Sequence, residues 1–184
     1  MLSPLNIFLV RHGEAAARWH EAPDPGLSRT GEQQAQTVLN ALGRYAPMRI
    51  ITSPLRRAQE TAAPLAAQWG VPVEVDPRFR EVPGPRDLGA RPAWIAALMQ
   101  AEWPHLDASV QTWRATLWSA LCGSTEASVI FTHFMVINAV VSAVQGTSHV
   151  VAFEPDYCSV TWLKSAAGGV TLHALGRART SVVL

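Results

Sequence analysis

The chain has 184 residues, a length that suits one domain with a sizeable core. Hydrophobic residues make up 48% of it and charged residues 16%, as in an ordinary globular protein. The formal net charge is +1 and no Lys or Arg cluster occurs, which argues against a nucleic-acid partner. No stretch reaches the roughly 20 apolar residues that span a membrane. We expect a single domain over residues 1–184 that binds a small molecule, with the oligomeric state left open.

The N-terminal segment and the cysteines bear on where the protein works. The first apolar run follows no basic residues and ends early, at Arg11, unlike a secretory signal peptide. We therefore expect a cytoplasmic protein. Cys122 and Cys158 are far apart and lie among apolar residues, without the spacing of a metal site. We predict that both are buried, reduced thiols.

The first predicted strand leads into the most informative residues of the chain. Residues 7–10 form an apolar run that continues directly into Arg11, His12 and Gly13. Such a run is typical of a strand buried on both faces of a parallel sheet. Ligands bind at the carboxyl edge of these sheets. A guanidinium beside an imidazole at that edge indicates a site for an anion, and we expect Gly13 to allow a sharp bend there.

A helix follows an irregular stretch over residues 14–25. Thr30 and Gln33 have the spacing of a capping box, which predicts a helix N-terminus. Apolar residues then recur at i, i+3, i+4 and i+7 over residues 35–42, as on one face of a helix. Gly43 can close that helix.

A second strand and helix come next. Residues 48–52 predict a short buried strand, and Pro54 suits the first position of the helix after it. The apolar stripe of this helix covers residues 55–69, and Gly70 ends it. Residues 71–75 predict an edge strand, because the proline within them would break a central ladder.

The middle of the chain predicts a loop and two flanking helices. Residues 76–91 are charged and rich in Gly and Pro, as in a loop. One helix is predicted over residues 92–99, and another follows Asp107 with its apolar face toward the core. Together, residues 92–122 would form a helical lid or flank beside the sheet edge.

The last third of the chain again contains predicted buried strands. Residues 128–132 form an apolar strand that ends, like the first, in a histidine, His133. Residues 134–144 are apolar almost all round, which indicates a buried helix. Strands at 159–163 and 170–175 flank a hairpin signal. Strands and helices alternate, so we predict an α/β fold: a three-layer α/β/α sandwich, with a mostly parallel central sheet and an antiparallel element near the C-terminus.

Polar residues follow three of the predicted strands and join into recognisable motifs. Residues 9–14 (Leu-Val-Arg-His-Gly-Glu) resemble the signature of the histidine phosphatase superfamily, which has a phosphoglycerate-mutase-like fold. Residues 27–35 (Leu-Ser-Arg-Thr-Gly-Glu-Gln-Gln-Ala) are similar to the next segment of that family. Residues 53–62 (Ser-Pro-Leu-Arg-Arg-Ala-Gln-Glu-Thr-Ala) resemble its second-arginine motif. The order holds through His133 and the closing hairpin, so the resemblance covers nearly the whole chain and suggests the small phosphatase branch.

The resemblance implies a role for each of five side chains. His12 would be the nucleophile that attacks phosphorus and becomes a phosphohistidine. Arg11, Arg57 and His133 would bind the oxygens of the transferring phosphoryl group. Glu81 matches the position of the proton donor for the leaving alkoxide, and later of the base for water. The expected reaction is hydrolysis of a small phosphomonoester, with no metal and no cofactor.

Two neighbouring arginines compete for the second-arginine position. The family places its arginine directly before the alanine, which selects Arg57 over Arg56. Neighbours on a helix point about 100° apart, so both side chains cannot face one pocket equally. We predict Arg57 in the site and Arg56 in solvent.

Departures from the family pattern concern the substrate pocket. Phe134 and Met135 stand where many members have glycines, and they would narrow the pocket or favour an apolar substrate. Arg18 replaces the asparagine that phosphoglycerate mutases place near the phosphate, and Trp19 follows it in the same loop. The short stretch between the predicted acid and the second histidine also leaves little room for mutase insertions. Phosphatase activity is therefore expected ahead of mutase activity.

Three other functions remain as alternatives. One is a phosphotransferase of the phosphoglycerate mutase type, and another is a non-catalytic protein that binds phosphate or a partner on the same fold. A third is a metal site of two histidines and one carboxylate, from His12, His133 and Glu81. Arg11 and Arg57 would repel a cation, which disfavours this metal site.

Overall fold

A computed structural model describes residues 3–167 and 169–179 of the chain. The strands within these residues are β1 (Leu5–Arg11), β2 (Arg49–Thr52), β3 (Val73–Val75), β4 (Ser128–Thr132), β5 (Val160–Ala166) and β6 (Gly169–Ala174). The α-helices are α1 (Arg29–Leu42), α2 (Arg56–Trp69), α3 (Arg91–Met99), α4 (Ala108–Cys122) and α5 (Phe134–Gln145). Pro77–Phe79 and Trp103–His105 form short 3₁₀ turns. Gly168, part of the predicted hairpin turn, lies outside the described residues.

The strands form one mixed sheet in the order β3-β2-β4-β1-β5-β6. Strands β1 to β4 pair in parallel, whereas β5 runs antiparallel to both β1 and β6. The predicted α/β class, with its antiparallel element near the C-terminus, is confirmed. No helix in the described residues is long and apolar enough to cross a membrane.

Two hydrophobic cores cover the two faces of the sheet. Ile7 and Leu9 of β1 belong to a core shared with α4 and α5. Phe8 and Val10 belong to a second core, shared with α1 and α2. Successive side chains of a strand point to opposite faces, so a strand covered on both sides must be apolar throughout. This requirement explains the unbroken apolar run and produces the three-layer sandwich.

Two glycines bring α1 close to the chain that leaves β1. A Cβ on Gly13 would lie 2.7 Å from the carbonyl oxygen of Gly31, and a Cβ on Gly31 only 2.1 Å from that of Glu14. Neither glycine has a positive φ. This close approach gives Gly13 a role in addition to the expected bend, because the absence of a side chain permits backbone contact.

The predicted capping box of α1 is wrong. Ser28, not Thr30, is the N-cap, and its Oγ accepts the amide hydrogen of Gly31 at 3.0 Å. The same hydroxyl donates to Glu14 Oε1 at 2.6 Å. This second bond ties the helix start to the segment after β1, a tertiary contact that local spacing does not reveal. Helix α1 therefore begins at Arg29.

We predicted that Pro54 occupies the first position of α2, and this prediction is wrong. The helix begins at Arg56, and Leu55 is its N-cap without a side-chain bond. Ser53 Oγ instead accepts the amide hydrogen of Leu55 at 3.2 Å, which forms a local turn that contains Pro54. Gly70 ends the helix in the left-handed conformation, as its position after the apolar stripe predicted.

Three further predictions differ from the structure. Edge strand β3 covers only residues 73–75 because Pro72 has no amide hydrogen for the ladder and β2 is itself short. Strand β5 extends to Ala166, three residues past its predicted end, because the hairpin continues its pairing with β6. Cys158 is buried, but Cys122 is exposed at the last residue of α4, where the helix surface faces solvent.

Candidate active site

Three strand ends meet at one edge of the sheet. Arg11 and Thr132 are register partners, so His12 and His133 leave adjacent strands together, with ring centroids 5.1 Å apart. Arg57 reaches both rings from the first turn of α2. Its Nε donates to His12 Nε2 at 3.1 Å, and its Nη2 lies 3.4 Å from His133 Nδ1. The structure therefore brings together two histidines and two arginines that are up to 122 positions apart in the chain.

His12 is held as a neutral imidazole whose Nε2 lone pair accepts the hydrogen bond from Arg57. Its Nδ1 lies 2.7 Å from the Gly13 carbonyl oxygen, which can only accept a hydrogen bond. Nδ1 therefore carries the hydrogen. Burial, with the charges of Arg57 and Arg11, holds the pKa of His12 well below its usual range, although the Gly13 bond opposes the shift. An unprotonated Nε2 is the form that a histidine nucleophile requires.

Arg11 is fixed by a loop far away in the sequence. Its Nη1 donates to the Pro155 carbonyl at 2.8 Å. The guanidinium carbon lies 4.1 Å from the ring centroid of Tyr157 and 5.3 Å from that of Phe134, both within cation–π range. Burial lowers the pKa of Arg11. An arginine so immobilised loses little side-chain freedom when it binds an anion.

Arg57 and Arg56 point in different directions from α2. Arg57 is only 5% exposed, whereas Arg56 is at the surface and pairs with Glu60 at 3.0 Å. The amide of Arg56 also donates to Asp24. The structure thus places Arg57 in the site and Arg56 outside it, in line with helical geometry.

The two buried guanidinium groups have no carboxylate partner in the described chain. Neither Arg11 nor Arg57 forms an ion pair there. Among the same residues, Arg11 Nε and Arg57 Nη1 are also buried without a hydrogen-bond acceptor. Two buried guanidinium groups without an ion-pair partner are costly to the fold, and an anionic ligand would offset that cost.

His133 lies behind the surface of the site. Its side chain is 0% exposed, and its Nε2 lies 2.7 Å from Ser53 Oγ. Burial, followed by the charge of Arg57, lowers the pKa of His133 well below its usual range. With Nδ1 toward Arg57, which only donates, Nε2 carries the hydrogen and donates to Ser53. In this form His133 supports Arg57, and its contact with the phosphoryl oxygens stays a prediction.

Glu81 lines the same cavity as a partly buried carboxyl group. Burial raises its pKa above the ordinary value. The Val82 amide, which donates to Oε1 at 3.0 Å, and the charge of Arg57 oppose the shift. A carboxyl group with a raised pKa beside an anion site can hold a proton for transfer to a leaving group.

A cavity of about 590 Å³ opens from these residues to solvent. The predicted substrate residues Arg18, Trp19 and Phe134 all line it. Another depression, of about 660 Å³ between α1 and α2, carries no histidine or arginine. The first cavity is therefore the candidate active site.

Sequence patterns did not reveal several residues that build this site. Tyr157 packs on Arg11, and its ring centroid lies 6.1 Å from that of His12. Arg179 lines the cavity from the C-terminal segment. Thr61 Oγ1 accepts the Gly13 amide hydrogen at 3.0 Å, and Ser53 holds His133. Thr61 and Ser53 lie within the second-arginine motif, which could have marked them, but no local signal marks Tyr157 or Arg179.

The described residues contain no cluster suited to a metal ion. No group of three or more His, Cys, Asp or Glu side chains lies close enough together in residues 3–167 and 169–179 to bind one. The buried guanidinium groups would also repel a cation at His12 and His133.

Comparison with known proteins agrees with the geometry. A family model described as histidine phosphatase superfamily (branch 1) matches residues 7–177. A probable phosphoglycerate mutase GpmB of Erwinia tasmaniensis is 34% identical over 117 residues, 61% of this chain and 49% of that protein. A glucosyl-3-phosphoglycerate phosphatase of Mycolicibacterium vanbaalenii is 37% identical over 79 residues, 41% of this chain and 35% of that protein.

The chain thus spans less than half the length of these two curated relatives. Structural similarity extends further. A mycobacterial glucosyl-3-phosphoglycerate phosphatase, solved in complex with inorganic phosphate, superposes with a TM-score of 0.72 at 25% identity. The superposition covers 95% of this chain and 98% of that one. With a family match over nearly its whole length and the fold in agreement, the chain belongs to the histidine phosphatase superfamily.

Proposed function

We propose that the protein is a phosphatase that hydrolyses a phosphomonoester through a phosphohistidine on His12, without a metal ion. One observation carries the proposal. A neutral imidazole lies close to two buried guanidinium groups that lack ion-pair partners in the described residues. A phosphoryl group supplies both the negative charge that the arginines need and the electrophile that His12 can attack.

The first step transfers the phosphoryl group to the enzyme. His12 Nε2 attacks phosphorus as the ester P–O bond breaks, and the leaving alkoxide takes a proton from Glu81. The hydrogen bond from Arg57 Nε to His12 Nε2 must move to a phosphoryl oxygen, which frees the lone pair at the moment of binding. Arg11 and Arg57 then stabilise the charge on the equatorial oxygens.

The second step releases phosphate. Water attacks the phosphohistidine, and the Glu81 carboxylate takes a proton from that water, so the carboxyl group regains its first state. The N–P bond breaks and returns its electron pair to His12 Nε2. His133 positions Arg57 through its Nδ1 in both steps.

Relatives named as phosphatases support a hydrolase, whereas the relative named a probable mutase supports phosphoryl transfer to another acceptor. The two reactions share the first step and differ in whether water or a second alcohol attacks the phosphohistidine. Release of phosphate without an added alcohol acceptor distinguishes hydrolysis from transfer.

The decisive experiment measures phosphate release from a panel of phosphomonoesters in the presence of EDTA. His12→Ala should lower kcat/KM at least about 1,000-fold, because the nucleophile is lost. The exposed His105→Ala is the matched control and should retain activity. Phosphate binding by the folded wild type, without turnover on the whole panel, would establish the non-catalytic alternative. Loss of activity in EDTA that added metal restores would refute the metal-independent mechanism.

Alkaline quenching during turnover provides a direct check of the intermediate. A phosphohistidine survives base better than acid, so labelled phosphoryl groups should remain on the wild-type protein after alkaline quenching. The His12→Ala variant should carry none.

A further inference from the structure

The candidate site is larger than the group that reacts in it. A volume of about 590 Å³ lies within the roughly 300–1,000 Å³ that accommodates whole drug-sized ligands. In the proposed reaction, the phosphoryl group needs only the inner end, beside Arg11, His12 and Arg57. Most of the cavity is therefore available to the alcohol part of the substrate.

The outer part of the cavity is walled by apolar side chains from separate segments. Helix α3 presents Pro92, Ile95 and Met99, which lie three and four residues apart and so share one face. Trp19, in the loop after β1, and Phe134, at the start of α5, supply aromatic rings. No single element builds this surface, so it is a property of the site rather than of one exposed helix.

Trp19 is held in a fixed position. The guanidinium of Arg91 lies 4.7 Å from its ring centroid, and Arg91 Nη1 donates to the Trp19 carbonyl at 2.9 Å. The ring centroid of Trp94 lies 6.0 Å away. Gly84 leaves room for the indole, since a Cβ there would lie 2.4 Å from Trp19 Cη2. A tryptophan that is packed from three sides forms a rigid platform at little entropic cost on binding.

The charges near this surface do not demand a second anionic group on the substrate. Arg91 is already engaged by Trp19 and by the Pro85 carbonyl, to which its Nε donates at 3.0 Å. The other charged side chains in the outer cavity are two arginines, Arg18 and Arg179, and two glutamates, Glu14 and Glu21. The outer cavity thus has three arginines against two glutamates, a small positive excess, and its walls are mainly apolar.

We propose that the substrate is a phosphomonoester of a bulky aromatic or apolar alcohol, with the alcohol packed against Trp19 and helix α3. The proposal rests on the proposed function, because it names the leaving group of that same reaction. Desolvation of an apolar leaving group by Trp19, Ile95 and Met99 supplies the selectivity.

The test compares three primary alkyl phosphates: propyl phosphate, 2-phenylethyl phosphate and 3-phosphonooxypropionate. All three are esters of primary alcohols, so differences in leaving-group acidity are small compared with those of aryl esters. The phenylethyl ester should have a kcat/KM at least about tenfold above those of the other two. Equal values, or a preference for the ester that carries a carboxylate, would overturn the proposal.

Binding of phosphonates separates this proposal from the proposed function. 3-Phenylpropylphosphonate and butylphosphonate cannot be hydrolysed, and calorimetry measures their affinities directly. Tighter binding of the phenyl compound without turnover of any ester would refute the phosphatase and support the apolar subsite. Equal affinities would refute the subsite whatever the turnover.

Variants locate the subsite. In Trp19→Ala, the kcat/KM for the phenylethyl ester should differ from that for the propyl ester by no more than about threefold. Trp118→Ala is the matched control, because Trp118 lines a separate depression between α4 and α5, and it should keep the wild-type preference. Ile95→Ala tests the same surface from α3 if the Trp19 variant does not fold. An unchanged preference in both Trp19→Ala and Ile95→Ala would overturn the assignment.

Discussion

At the scale of single residues, the site depends on how its two arginines are immobilised. Arg57 donates to the His12 lone pair, and Arg11 is held between the Pro155 carbonyl and the Tyr157 ring. Both arginines are buried, so their charges act through little water and interact strongly with an anion. The contacts that aim them are therefore as relevant to function as the arginines themselves.

Tyr157 is expected to position Arg11 through its ring. Tyr157→Ala should raise KM and the dissociation constant for inorganic phosphate about 2- to 30-fold, because a cation–π contact contributes about 0.5–2 kcal/mol. Tyr157→Phe keeps the ring and should stay within about twofold of wild type. Steady-state kinetics and calorimetry would measure both. An equal loss in the two variants would instead assign the effect to the hydroxyl.

Glu81 is expected to set the alkaline limb of the pH profile. Burial raises the pKa of its carboxyl, so the protonated acid persists above the usual range and is lost as pH rises further. The plot of kcat against pH should therefore fall on its alkaline side with one ionisation. Glu81→Gln should lower kcat about 100- to 10,000-fold, the usual worth of a general acid, and remove that ionisation. An unchanged alkaline limb in Glu81→Gln would show that another group titrates.

At the scale of elements, the site depends on the contact between the chain after β1 and the first turn of α1. Gly13 and Gly31 permit that contact, and Ser28 hydrogen-bonds to Glu14 across it. His12 precedes this junction and donates its backbone amide to Thr132 on β4. The helix start thus helps to fix the conformation of the histidine segment.

Gly31→Ala should disturb this junction. The new Cβ would lie 2.1 Å from the Glu14 carbonyl oxygen, so the backbone must shift, and we expect a loss of about 1–3 kcal/mol in the free energy of unfolding. Urea denaturation would measure it. Gly89→Ala is the control, because its Cβ would lie 3.5 Å from Asp87 Oδ1, an ordinary contact, and its stability should change by under about 0.5 kcal/mol. A Gly31→Ala variant as stable as wild type would mean that the two segments can separate freely.

At the scale of the whole molecule, the sheet gathers charges that the fold must keep in particular protonation states. His12 and His133 are buried as neutral rings, with pKa values well below the ordinary 6.5. In the unfolded chain both histidines titrate near that value. Below it, the unfolded state binds more protons than the native state, so protonation favours unfolding. Glu81 has a raised pKa, so protonation favours its folded form and partly offsets the histidines.

Stability in phosphate-free buffer should therefore decline as pH falls from about 7.5 to 5. Each histidine lowers the free energy of unfolding by up to about 1.4 kcal/mol for each unit that the pH falls below 6.5. Urea titrations at several pH values would give the slope. His12→Ala should reduce the slope of the free energy of unfolding against pH by the amount that corresponds to about one bound proton. His105→Ala should leave the slope unchanged. A wild-type stability that is independent of pH in this range would contradict the buried neutral state.

Local patterns in the chain were sufficient for the type and order of the elements and for the candidate site residues that follow the strands. Buried strands are continuous apolar runs, and the polar residues that interrupt them mark where the sheet ends, so Arg11, His12 and His133 stand out in the sequence. The rule that parallel strands share a carboxyl edge then places them together. The apolar stripes of the helices are local signals too, and so are Gly70 and Gly146, which end two of the helices. One turn of backbone is enough to determine where such a glycine fits.

Only the tertiary structure decided which contacts hold these residues in place. Ser28 replaced Thr30 as the cap because its hydroxyl meets Glu14 across the fold, and Gly13 proved to serve a contact with Gly31. Tyr157 lies 146 positions after Arg11, yet its ring covers the guanidinium. Such pairs have no periodicity and no short motif, since packing between distant segments creates them. The sequence by itself determined the fold class and the candidate reacting groups, whereas the apolar wall of the cavity exists only after the loop that follows β1, helix α3 and helix α5 have come together.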